Sequence, residues 1–355
     1  MEQISKLLIL IFCLIVFIFS FFVCQQIYLP LNLSDTENKL FLIEQGESLF
    51  QISENLEKEE IIKNRFLFNF YVFLKGSQKN LQAGEYFLSP SMSIADIAQK
   101  IISGDIIKET ITIPEGWNLR DIGWYFENKG MFQAEELFEL VGFRLIDCSK
   151  VTDLPQPKDF SSDYDFLKDK PKNISLEGYL FPDTYYIKEQ RAESNEQRLE
   201  EIVRKMLDNF DKKLSQELRN EINQQGKTIF EIVTIASLLE KEVRIFEDKN
   251  IVSGILWKRL KNNIPLQVDA TITYITGKKT TKVSKEETQI DSPYNTYKYR
   301  GLPLGPISNP GLESILAAVY PESSDYLYYL STPEGETIFS KTLEEHNVAK
   351  AKYLK

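Results

Sequence analysis

The chain has 355 residues, long enough for two or three domains, and carries 52 acidic against 42 basic side chains for a net charge of −10. That balance excludes a nucleic-acid partner, because phosphate recognition needs clustered Lys and Arg. The single histidine, His346, excludes a Ser-His-Asp triad and a multi-histidine metal site, and the three cysteines form neither a disulfide framework nor a CxxC motif, so no metal or cofactor is expected.

Leu7 to Cys24 is a run of 18 residues without a charge. As a helix it would span about 27 Å, close to the roughly 30 Å hydrocarbon core of a bilayer. The sequence therefore predicts one retained transmembrane helix over 7–27, with 1–6 cytoplasmic. Lys6 before the run, against Asp35 and Glu37 after it, sets that orientation. No A-x-A cleavage site follows, and Phe22 and Val23 precede Cys24 where a lipid-modified cysteine would want small residues.

An internal repeat follows. Residues 43–70 lie on 113–140 at an offset of 70, with seven identities in 28 positions: Ile43, Gly46, Leu49, Ile52, Glu57, Leu67 and Phe68 match Ile113, Gly116, Leu119, Ile122, Glu127, Leu137 and Phe138. Each copy reads as a short strand, a glycine turn and a helix. Ser48 and Asn118 are the natural N-caps, with Gln51 and Asp121 at the third helical position. Between the copies, Leu81 to Leu88 suggests a strand, and Ser93 to Ser103 a helix closed by Gly104. Units of this type resemble LysM modules, which bind N-acetylated glycans, and 39–106 is assigned to a LysM-like subdomain. The second copy, 111–141, opens a larger domain over 107–355.

From Asp147 to Asn173 the composition shifts to Asp, Lys, Pro and Ser, a loop or boundary that contains the lone Cys148. Leu199, Ile202, Val203, Met206, Leu207 and Phe210 then mark an amphipathic helix, and Ile251, Ile255, Leu256 and Leu260 mark another. Residues 326–331 and 336–340 read as a β-hairpin. The expected class is α+β.

The centre of the chain is TIFEIVTIASLLEKEVR, Thr228 to Arg244. Thr228 and Glu231 make a capping box, and the apolar density that follows belongs in the middle of a domain. At roughly 100° per residue, Glu240 shares a face with Ile229, Val233, Ala236 and Val243, and small Ala236 and Ser237 would leave room for a ligand. A carboxyl group there should have a raised pKa and could donate a proton. Glu231 and Glu242 fall on the opposite side and are poor candidates for the same site. The plain alternative is that Glu240 ends the buried stretch and meets solvent or an arginine.

Three further stretches mix aromatics with amides and hydroxyls: SLEGYLFPDTY (175–185), PLQVDATITY (265–274) and SPYNTYKYRGLPLGPISNPG (292–311). Such surfaces suit sugars, though turn chemistry accounts for any one of them alone. With TIASLLEKE, YLYYLS and EEHN in the same order, they resemble the endolytic murein transglycosylase, or YceG-like, family. Three positions depart from that pattern: Ala270 and Leu304 stand where the family usually has proline, and Thr337 where the hairpin often carries histidine.

The resemblance implies a membrane-anchored lytic transglycosylase, with its catalytic domain outside the cytoplasm. It would cut the β-1,4 bond between N-acetylmuramic acid and N-acetylglucosamine in peptidoglycan. The helix glutamate aligned with Glu240 would be the acid, then the base that drives the muramyl C6 hydroxyl onto C1 to leave a 1,6-anhydro end. Gln267, Asp269, Tyr294, Asn295, Thr296, Glu177 and Ser237 are the expected substrate-binding residues, and a peptidoglycan synthase of the elongation machinery the expected partner. One rival reading is a hydrolytic muramidase with Asp269 or Glu177 as second carboxylate. The other is a non-catalytic wall-binding scaffold.

Overall fold

The computed structural model describes residues 2–33, 35, 37–106, 108–146, 154–188, 194–278 and 282–354. Cys148 and the segment 147–153 lie outside the described residues. The chain divides into two compact units, residues 1–111 with 186–191, and residues 112–185 with 192–355.

The first unit begins with α1 (Glu2–Tyr28), which is long and apolar enough to cross a membrane. The strand β1 (Lys39–Ile43) and helices α2 (Leu49–Lys58) and α3 (Arg65–Leu74) form the first copy of the repeat, followed by β2 (Gly84–Leu88) and α4 (Ile94–Ser103). β1 and β2 pair antiparallel from Lys39 opposite Leu88 to Ile43 opposite Gly84. Their inward residues Phe41, Ile43, Tyr86 and Leu88 close over Ile52, Leu56, Phe68, Val72, Ile97 and Ile101. Ser48 with Gln51 and Ser93 with Asp96 make full capping boxes, and Gly104 ends α4 in the left-handed conformation.

The second copy appears as β3 (Lys108–Thr112), α5 (Leu119–Asn128) and α6 (Ala134–Val141), with Asn118 and Asp121 in a capping box. Gly46 and Gly116, at matching positions, both adopt left-handed backbone with φ of 90° and 77°. β3 pairs with β4 (Thr184–Lys188), a strand that the composition of the preceding loop gave no reason to expect.

In the second unit, α7 (Asn195–Lys213) and α8 (Gln216–Gln224) precede α9 (Ile229–Glu242), capped by Thr228 and Glu231 as the sequence predicts. Every residue of α9 from Ile232 to Leu239 is buried. It is enclosed by α8, α10 (Phe246–Lys261), α11 (Asp269–Thr276) and α12 (Leu312–Val319). The antiparallel hairpin of β5 (Tyr328–Ser331) and β6 (Thr337–Ser340) follows, and α13 (Leu343–Tyr353) ends the chain. The three sheets among the described residues are all two-stranded, so the class is mixed helical and sheet, with helices supplying most of the core.

A close backbone approach fixes α10. A Cβ added at Gly254 would lie 1.9 Å from the carbonyl oxygen of Glu322, a backbone atom that cannot turn aside. Gly254→Ala is therefore expected to cost about 3 kcal/mol through overpacking. A thermal melt with an unchanged midpoint would contradict this packing.

Candidate active site on the central helix

The two glutamates near the end of α9 have different surroundings. Glu240, with a side chain only 10% exposed, faces α10 and α12. Its Oε2 accepts from the amide of Gly311, the N-cap of α12 (3.1 Å), and from the Ser314 hydroxyl in the first turn of α12 (2.6 Å), and lies 3.6 Å from the Lys249 ammonium of α10. All three are donors, so the carboxylate ties three helices together. Glu115 lies beside it: a Cβ at Gly311 would sit 2.0 Å from its Oε1. Burial, and next the charge of Glu240, hold the Glu115 carboxyl above its usual range. Glu115 is thus the second carboxylate by Glu240, a place the sequence gave to Asp269 or Glu177.

The room expected above Ala236 and Ser237 is filled by protein. The Ser237 hydroxyl donates to the Thr234 carbonyl (2.7 Å) and accepts from the Ile307 amide (3.0 Å), while its carbonyl accepts from Ser308. Small residues on that face of α9 admit the 305–309 loop rather than a ligand.

Glu242 is the residue that the facing argument set aside. Partly buried at the helix end, it accepts from the Ala270 amide in the first turn of α11 (3.0 Å) and from the Tyr329 hydroxyl of β5 (3.3 Å). Burial pushes its carboxyl up to about 7, helped by the charge of Asp269 and opposed by the Ala270 and Tyr329 hydrogen bonds. Asp269 is exposed and accepts a hydrogen bond from the Tyr297 hydroxyl. Exposed Gln267 is held in left-handed backbone, φ 55°, rare for a side chain of this kind and a form of strain that clusters at functional sites. Its Oε1 accepts from the buried Arg259 guanidinium (2.6 Å), which also donates to the carbonyls of Pro265 and Leu327. Residues from α11, the 292–299 loop and β5 therefore meet around one carboxyl at the end of α9, held by burial up to about 7, which suits acid catalysis near neutral pH.

The remaining expected ligands brace this arrangement from behind. Thr296 accepts from the Val268 amide (3.0 Å), and its carbonyl receives the Gln267 amide. Asn295 is fully buried; it donates to the carbonyls of Thr288 and Ile290 and accepts from the Tyr297 and Lys298 amides, which shapes the loop presenting Tyr297. Tyr294 is buried with its ring 5.1 Å from that of Tyr274. Glu177 is buried, its carboxylate taking the Leu119 amide at the start of α5 (3.0 and 3.2 Å) and the Tyr274 hydroxyl (3.1 Å). Of the expected binding residues, only Gln267 and Asp269 are exposed, and Asp269 lies beside Glu242.

Sequence reasoning missed Arg259, Tyr297 and Tyr329. Tyr297 and Tyr329 lie within stretches the sequence singles out. Arg259, in the last turn of an amphipathic helix, reads as a solvated cation.

Comparison with known proteins agrees with the order of motifs. The YceG-like family matches residues 41–352. An endolytic murein transglycosylase of Bacillus subtilis is 34% identical over 88% of this chain and 84% of its own length. One from Streptococcus pneumoniae is 32% identical over 90% of this chain, which spans only 59% of that longer protein. The crystal structure of a yceG-like protein from Listeria monocytogenes is 34% identical, covers 88% of this chain and 99% of its own, and superposes with a TM-score of 0.57. This chain, with its buried glutamate-bearing helix and the loops that close on it, belongs to the YceG-like family.

Proposed function

We propose that this protein is a membrane-anchored endolytic murein transglycosylase that cuts peptidoglycan between N-acetylmuramic acid and N-acetylglucosamine, with Glu242 as its acid and base. The observation that carries this reading is the Glu242 carboxyl itself. It is held up to about 7 by burial and lies beside Asp269, Tyr297 and Tyr329, which offer hydroxyl and carboxylate partners for a sugar. The names of the relatives, endolytic murein transglycosylases, support the reaction class.

In its protonated form Glu242 donates to the glycosidic oxygen as the bond to C1 breaks. The resulting carboxylate then takes the proton from the muramyl C6 hydroxyl, which closes on C1. One group serves both half-steps because the nucleophile belongs to the substrate, so the second carboxylate of an ordinary glycosidase has no task here. A second reading, the one the order of motifs implies, keeps Glu240 as acid and base of the same transglycosylase; the nearby Glu115 would also give it the carboxylate pair that a hydrolytic muramidase uses.

The rate of glycan release from purified peptidoglycan as a function of pH tests the first reading. The acid must carry its proton, so activity should fall as pH rises through about 7. Ala270→Pro removes the amide that stabilises the ionised form, at a first-turn position where proline is tolerated. That variant should move the falling limb to higher pH. A limb that stays in place would detach it from Glu242, and no release at any pH would contradict the proposed activity.

A further inference from the structure

α1 has no linker between its apolar run and the folded unit that follows. Ile27, on its last turn, is buried in the core formed by β1, β2, α2, α3 and α4, and Val23 packs against the same core. The Tyr28 ring meets the Tyr71 ring of α3 edge-on at 6.3 Å. The folded unit therefore packs directly onto the last turns of the helix that the sequence places in the bilayer.

α3 has a second apolar face. Phe68, Tyr71 and Val72 point into the core, while Phe66, Phe70, Phe73 and Leu74 are 64%, 47%, 67% and 65% exposed. At 3.6 residues per turn these four form one stripe less than a third of the helix circumference wide. Cations flank it at both ends, with the Arg65 guanidinium over the rings of Phe50 and Phe66 and the Lys75 ammonium over Tyr71. A soluble protein rarely leaves four large apolar side chains of one helix in water. An apolar face rich in phenylalanine with basic residues at its margins is the composition of a helix lying in a lipid interface.

We infer that α3 is an interfacial helix: its Phe66, Phe70, Phe73 and Leu74 face enters the headgroup region of the bilayer that α1 crosses, holding the first unit down on the membrane surface. The occupant is lipid because α3 packs directly against the end of α1, so the face starts where the span ends. This inference rests on the reading of α1 as a membrane anchor. It adds a second, in-plane attachment, so that the first unit is held at the membrane rather than tethered on a flexible stalk.

The test uses the full chain in lipid nanodiscs, with Cys13, Cys24 and Cys148 replaced by serine and a nitroxide attached at F17C, F70C or F73C in turn. Each site is read by its collision with oxygen, which concentrates in lipid, and with a water-soluble nickel chelate. Labels at 70 and 73 should be more accessible to oxygen than to the chelate, at a shallower depth than the label at 17. A lipid signal at 17 with water-like signals at 70 and 73 would overturn the inference and leave the anchor standing. Labels at 70 and 73 shielded from both reagents would also overturn it, pointing to a second protein copy over this face. A water-like label at 17 would remove the anchor and the inference together.

Discussion

Glu242→Gln should lower the release of glycan fragments from peptidoglycan by about 10²–10⁴-fold or more, with the protein still folded. Glutamine keeps the size of the side chain; its oxygen can accept from the Ala270 amide while its amide nitrogen donates to the Tyr329 hydroxyl oxygen, so the cost to stability should stay within about 1 kcal/mol. What disappears is the exchangeable proton. The loss belongs at the upper end of the range because the same carboxyl serves both half-steps. Glu240→Gln separates the two readings. Its partners are the Gly311 amide, the Ser314 hydroxyl and the Lys249 ammonium, so the substitution leaves Lys249, itself 3% exposed, without its carboxylate. That variant should lose stability, by about 3 kcal/mol or more for a broken buried pair, and should keep activity below its melting transition. Strong loss of activity in a folded Glu240→Gln, with Glu242→Gln near wild type, would reverse the assignment.

The second large effect is on stability. Glu177→Ala should cost at least about 3 kcal/mol, because it leaves the buried Leu119 amide and Tyr274 hydroxyl without their acceptor. A chemical or thermal melt measures it, and a loss below about 1 kcal/mol, the usual effect of a surface change, would show that the network does not brace α5 against α11. The pH dependence carries a further signature. Burial raises the Glu177 carboxyl from its ordinary 4.5 to about 8 in the folded protein. Between those values the unfolded chain has released a proton that the folded chain retains. The contribution of this group is therefore fully present below about 4.5 and is lost as pH rises through about 8. Glu177→Gln, neutral throughout, should flatten that part of the stability profile.

Local chemistry made much of the fold legible. The capping residues Ser48, Asn118 and Thr228 start helices where they stand in the sequence, and the repeat offset of 70 reappears as matched strands, glycine turns and helices. The apolar density of α9 marked the centre of the second unit. The short helix α12, entered from Pro310 and Gly311, and α11, hidden in a stretch read for its polar groups, gave no comparable periodicity. The pairing of β3 with β4 joins segments more than 70 residues apart, beyond the reach of local pattern.

At the site, the helix and its two opposed glutamates were legible, but the environment of each was not. A carboxyl on an apolar face was expected to be costly to ionise, with solvent or an arginine as the alternative. Glu240 instead meets Lys249 and the first turn of α12, which arrive from other parts of the chain. Glu242, on the face read as outer, is covered by residues 268–270, Tyr297 and Tyr329. Proton affinity follows what packs against a face rather than the face itself, and packing of that kind is not encoded in the helix.

Mass analysis of the fragments released from purified peptidoglycan by the wild-type chain, Glu240→Gln and Glu242→Gln, compared side by side, tests the central claim most directly. A 1,6-anhydro end is lighter than a hydrolysed reducing end by one water, about 18 Da. Wild type and folded Glu240→Gln should give anhydro ends, and Glu242→Gln almost none. Reducing ends from wild type, or anhydro ends from Glu242→Gln at the wild-type rate, would contradict the account.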